Sequence, residues 1–181
     1  MYISTRMDDI GKQFDTLVDK AMPVIDENIL LQMNNFGDDM VQNIIPIQRG
    51  FKNLTGNTIT SFAYGTYINK VLKQVGMYNG KAAIRVKLTK GEVFTGINYD
   101  GDYRKHFVAS IETDQGLGTN TSMKFLQGYI PTGYYSIVFT TGTEYSEFLE
   151  NRLHFNVLTD ARTFSIQSFI RSFKPIANDK S

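Results

Sequence analysis

The side chains that do chemistry are few. The chain holds two histidines, His106 and His154, and no cysteine. A metal centre needs His, Asp or Glu clustered at helix or hairpin spacing. Neither histidine has such a neighbour in sequence, so both read as structural or simply exposed. The segment "GLGTNTS", Gly116–Ser122, has the small residues of a phosphate loop but lacks its lysine. The segment "NYDGDY" resembles half a calcium loop, yet no glutamate closes it at the twelfth position. An Asp-Gly turn accounts for it. No nucleophile elbow, paired zinc histidines or carboxylate pair in a shared apolar setting is present. We expect no catalytic residues, no cofactor and no metal.

Arg85, Lys87 and Lys90 lie close together in sequence, and Arg104 and Lys105 follow. They suit phosphate contact, and they suit the wet face of a sheet. A net charge of +1 favours the second, because tight backbone binding to nucleic acid needs several phosphate contacts. No apolar run approaches the roughly 20 residues of a membrane span. The start, "MYISTRMDDIGKQF", lacks a basic stretch followed by an apolar core, so it does not read as a signal peptide. With 181 residues the chain can bury roughly 70% of its unfolded surface and needs no disulfide to fold. Tryptophan is absent, while Phe and Tyr number 13 and 10. Aromatics favour both strands and interfaces.

The elements follow from periodicity. Met7, Ile10, Phe14, Leu17, Val18 and Ala21 share one helical face. Pro23 is expected to interrupt, since proline suits a first turn far better than a helix interior. A second helix then carries Ile25, Ile29, Met33, Phe36, Met40 and Ile44, is weakened at Gly37, and ends at Pro46. Residues 1–46 are read as a helical arm, which packs either on its own domain or on a neighbouring subunit. Residues 47–175 form an α+β domain, and 176–181 a loose polar tail. Gly50 and the cluster from Asn53 to Asn57 mark a turn. "SFAYGTYINKVLKQVGMY" starts extended, and its end, with Val71, Leu72 and Val75, suits a strand or a helical turn. Ile84, Val86 and Leu88 alternate with Arg85 and Lys87, Lys90-Gly91 turns, and Val93, Thr95 and Ile97 return. This predicts a sheet with one wet face. A strand over about Lys105 to Glu112 precedes a long neutral segment, residues 113–135, read as a loop of the functional kind. Tyr135 to Thr141 is a further strand. Asp160 is positioned to cap a last helix whose Phe164, Ile166, Phe169, Ile170 and Phe173 form an apolar stripe, stopped by Pro175. The class is α+β: N-terminal helices, an antiparallel sheet of about four to six strands, and a C-terminal helix packed on it.

Two places carry a resemblance. After Pro46 comes "NLTGNTITSF", with Thr55-Gly56 before a strand. Later a strand runs into "YSEFLE", with Tyr145, Ser146, Phe148, Leu149 and Glu150, and soon a helix. In this order and spacing the chain resembles the head-to-tail joining proteins of tailed bacteriophages, the neck or tail-completion family. Asn151-Arg152 stands where that family has Phe-Gly, and the strands between the two motifs run longer. The resemblance implies a virion protein assembled in the host cytoplasm. It would be one subunit of a homo-oligomeric connector ring, six- or twelvefold, at the neck. Its partners would be copies of itself, the portal and other neck or tail proteins. DNA would pass through transiently, and no membrane is involved. Tyr134, Tyr135, Tyr145, Phe148, Glu150 and Phe155 are candidates for the contact between subunits. Gly116, Leu117, Gly118, Thr119 and Asn120 are candidates to reach an adjacent ring or the channel. A second reading makes Gly116–Ser122 the binding loop of a non-catalytic ligand- or polymer-binding module.

Overall fold

The computed structural model describes residues 3–47, 61–78, 82–86, 118–143 and 157–172. The fold is α+β. One helix, α1 (Ile3–Ile47), precedes an antiparallel sheet of four described strands: β1 (Ala63–Ile68), β2 (Val71–Tyr78), β3 (Ala83–Val86) and β4 (Tyr135–Thr140). Helix α2 (Gly118–Gly128) comes before β4, and α3 (Val157–Ser172) follows it. The strand order is β3-β2-β1-β4.

α1 runs unbroken for 45 residues, which corrects the expected break at Pro23. Proline there removes the hydrogen bond to the Asp19 carbonyl. Asp19 sits on an exposed stretch of helix, where water can satisfy that oxygen. The helix also ends one residue past Pro46. The segment read as an arm has two unlike halves. Met33, Phe36, Met40 and Val41 are buried, whereas every described side chain from Asp9 to Ala21 is exposed.

The ambiguous stretch after β1 is a strand, not a helical turn. Asn69 and Lys70 both take left-handed backbone, with φ of 49° and 64°. That pair of angles makes the two-residue turn whose twist matches the hairpin β1–β2. The turn is tied down by the Asn69 amide, which donates to the Tyr134 carbonyl at 2.7 Å. A bulge between Thr66 and Tyr67 skips one residue of β2, and the register then continues to Ala63↔Met77.

Alternation along β1 sorts the core into two layers. Phe62 joins Phe36 and Met40, with Ile137, Phe139, Leu158 and Phe169 packed around them. Ala63 joins Val75, Met77, Met123 and Leu126, with Leu72, Ile84 and Val138 around them. α1 and α3 therefore cover one face of the sheet and α2 the other. The sheet is covered on both faces, but at β3 the expected alternation holds: Ile84 packs into the core while Arg85, bonded to α1, stays exposed. The segment 113–135 is likewise not a loop throughout, because α2 occupies its middle. Asp160 lies inside α3, in its first turn, and is not the residue before it. There its charge still favours the helix dipole, as Arg171 does in the last turn.

Candidate functional site

One polar network stands out, and with it two bare apolar surfaces at the faces of the sheet, besides an exposed apolar stripe along α1. The network is built on a row of cross-strand partners: Arg85, Gly76, Tyr64 and Phe139 face one another across β3, β2, β1 and β4. The Tyr64 ring is fully buried. It fits because its two neighbours lack side chains. A Cβ on Gly76 would sit 2.2 Å from the ring, and one on Gly37 of α1 would sit 2.5 Å away. Gly37, which weakens an isolated helix by about 1 kcal/mol, is thus a packing residue.

At the tip of the ring, the Tyr64 hydroxyl donates to Asp38 Oδ1 at 2.5 Å and lies 3.1 Å from the Asn34 carbonyl. Arg85 Nε donates to Asp38 Oδ2, and Arg85 Nη2 to Asn35 Oδ1, both at 2.7 Å. Thr66 Oγ1 donates to Asn34 Oδ1 at 2.9 Å. Burial, then the hydrogen bond and charge of Asp38, push the Tyr64 phenol well above its usual range. Burial works against the Arg85 charge, but the Asp38 hydrogen bond and carboxylate outweigh it and raise its pKa. A phenol held protonated and a guanidinium held charged are poor proton-transfer groups at neutral pH. The network locks α1 onto the sheet.

On the opposite face, the Tyr67 hydroxyl donates to the Leu126 carbonyl at 2.7 Å and anchors the end of α2. Burial, with Tyr129 nearby, pushes the Tyr67 phenol up to about 12 from an ordinary 10.0. Below about pH 10 folded and unfolded chains both keep this proton, and the stabilisation is fully present. As pH rises toward 12 the unfolded chain releases the proton first, and the stabilisation is lost. Two pH units correspond to roughly 2–3 kcal/mol. Urea unfolding followed from neutral to strongly alkaline pH should therefore show falling stability above about pH 10. Tyr67→Phe should flatten part of that fall.

The candidate subunit-contact residues divide. Tyr134 is exposed, and its ring meets that of Tyr135 edge-on at 4.8 Å. Tyr135 is turned inward: its hydroxyl donates to Asp26 Oδ1 of α1 at 2.7 Å. Burial and that bond push its phenol up to about 12. Tyr145, Phe148, Glu150 and Phe155 lie outside the described residues, as do Thr55, Gly56, Gly116 and Leu117. So do His106, His154, Lys87, Lys90, Arg104, Lys105, Phe173 and Pro175, the strand at Lys105–Glu112 and the return strand through Ile97. Gly118, Thr119 and Asn120 belong to the first turn of α2, not to a loop. Gly118 is buried, and Ser122 Oγ donates to the Ser61 carbonyl at 2.6 Å. Gly118 and Ser122 of that turn pack against the protein, whereas Thr121 is exposed.

The bare surfaces lie on opposite sides of the sheet. On α3, Phe164, Ile166 and Ile170 are 51%, 53% and 71% exposed, while Phe169 turns in to pack edge-on against Phe36 at 5.1 Å. Beyond the other face, Phe125, Tyr129 and Ile130 are exposed on α2 and the connection to β4. Phe125 and Tyr129 touch at 5.4 Å, one helical turn apart. Sequence reasoning missed Phe125, Tyr129 and Ile130. The four-residue spacing of "FLQGY" is the available signal, masked by the weak helix formers that precede it.

Among the described residues, no three His, Cys, Asp or Glu side chains are grouped to hold a metal ion. No described helix is long and apolar enough to cross a membrane. No family model, curated protein or solved structure matches the chain.

Proposed function

We propose that the chain is a structural virion protein of a tailed bacteriophage. It would be one subunit of the neck or tail-completion ring that joins portal to tail and lines or seals the DNA channel. The observation that carries this reading is the pair of unlike apolar surfaces on opposite sides of the sheet: Phe164, Ile166 and Ile170 on one side, Phe125, Tyr129 and Ile130 on the other. A ring closes through a heterologous contact, one surface of a subunit meeting a different surface of the next. Two separate aromatic-rich patches on a small body suit such a contact, and exposed apolar patches of this kind mark interaction sites. The sequence resemblance at Thr55-Gly56 and Tyr145–Glu150 supplies the family. The near-zero net charge suits a channel past which DNA slides without being held.

Deleting the gene from its phage tests the reading. DNA-filled heads and finished but unattached tails should accumulate, and expression of the chain in trans should restore joined particles. Normal infectious particles without it would refute the role. Within the complemented system, Ile170→Asp should leave the fold intact, since the side chain is 71% exposed, and still fail to restore joining.

A further inference from the structure

α1 carries a second apolar stripe that the fold does not use. Ile10, Phe14, Leu17, Val24 and Leu31 are 64%, 64%, 66%, 56% and 52% exposed. With Ala21 and Asn28 they recur at alternating steps of four and three, the 3.5-residue average of a coiled-coil seam. The stripe is distinct from the one that packs on the sheet. At about 100° per residue, Asp26, Met33, Phe36 and Met40 cluster on one side of the helix. The seam lies on the opposite side. Pro23 is outside it.

The charges beside the seam select an orientation. Lys20 and Glu27 occupy equivalent flanking positions, one residue before Ala21 and one before Asn28. In a parallel pair they would meet Ile25 and Gln32 of the other helix. In an antiparallel pair with Ala21 opposite Val24, Lys20 meets Glu27, and the two-fold axis makes that pair twice. The same register sets Phe14 opposite Leu31 and Val18 opposite Ile25. Asn28, the polar residue of the seam, falls opposite Leu17. Its amide donates to the Val24 carbonyl of its own helix at 2.8 Å, which reduces the cost of covering it.

We propose that α1 binds α1 of a second copy of this chain as an antiparallel pair in this register, with Lys20 against Glu27 on either side of the two-fold axis. Apolar burial along the seam supplies the affinity, and the charges set direction. The contact joins like to like, whereas a ring closes by joining unlike surfaces. It therefore does not rest on the connector reading, and it can link two copies before assembly or two assembled bodies.

The chain lacks cysteine, so engineered thiols report the register directly. Full-length Phe14→Cys and Leu31→Cys proteins, mixed and mildly oxidised, should form a covalent dimer holding one of each. Phe14→Cys alone should not cross-link, because in this register its two copies lie roughly 25 Å apart. Native mass should be that of a dimer. Leu17→Asp, at an exposed position, should reduce it to monomer with the circular dichroism unchanged. Lys20→Glu should weaken dimerisation about tenfold, and adding Glu27→Lys should recover it. A monomeric mass at the highest soluble concentration, self-cross-linking of Phe14→Cys, or no cross-link in the mixture would each overturn the proposal.

Discussion

Tyr64→Ala is expected to cost about 3–5 kcal/mol, the range for emptying a buried aromatic site. For a chain of this length that lowers the melting temperature by roughly 10 °C or more. The ring is fully buried between Gly37 and Gly76, and its hydroxyl joins Asp38, so its loss opens a cavity and undoes the tie between α1 and the sheet. The two glycines predict a coupling that simple truncation would not. Gly76→Ala alone forces a methyl to within 2.2 Å of the ring, and over-packing of this kind costs about 1–3 kcal/mol. In a Tyr64→Leu background the same substitution should cost far less, because the obstructing ring is gone. A double-mutant cycle by urea unfolding measures this directly. Additive costs would mean that the ring is not held between the glycines.

Gly142→Ala is the second large effect, and its cause is different. A Cβ at 142 would lie 1.9 Å from the Gly118 carbonyl oxygen and 2.7 Å from the Ser122 amide nitrogen. Both are backbone atoms at the start of α2, so no rotamer change relieves them. Either α2 shifts or the segment after β4 does, and we expect a loss of about 3 kcal/mol or more. A shift of α2 would strain the Ser122–Ser61 bond and the anchor from Tyr67 to Leu126. Hydrogen exchange should therefore rise in α2 of the variant before it rises in β1 and β2. Unchanged protection in α2 together with wild-type stability would show that residue 142 does not abut this helix.

The strand Tyr135–Thr140 was legible almost to the residue, because its apolar run is bounded by the turn at Gly133 and by Gly142. The helical period of Ile25 through Met40 was equally plain. Pro23 was misread because a local rule about one hydrogen bond cannot see that its carbonyl partner is exposed. The turn at Asn69-Lys70 escaped because no glycine announces its left-handed backbone. α2 escaped because Gly118, Thr119, Asn120 and Thr121 are weak helix formers; burial of Met123 and Leu126 against the sheet holds it. The apolar stripe of the last helix was visible, but Phe169 faces inward and Phe164, Ile166 and Ile170 outward. That distinction depends on where α1 and the sheet lie, which no single segment records. The Tyr64 cell joins Tyr64 to Gly76, 12 positions on, and to Asp38, 26 positions back, and the glycines that define it read locally as weak points.

In the proposed assembly, unlike apolar faces on either side of the sheet join neighbouring copies into a ring. On the proposed reading, electron cryomicroscopy of the neck, in tailed-phage particles carrying this chain, tests it most directly. The expected map shows a closed ring of copies, with Phe164, Ile166 and Ile170 of each subunit covered by the Phe125–Ile130 surface of the next. A neck that lacks the chain, or a ring in which these side chains face water, would contradict it.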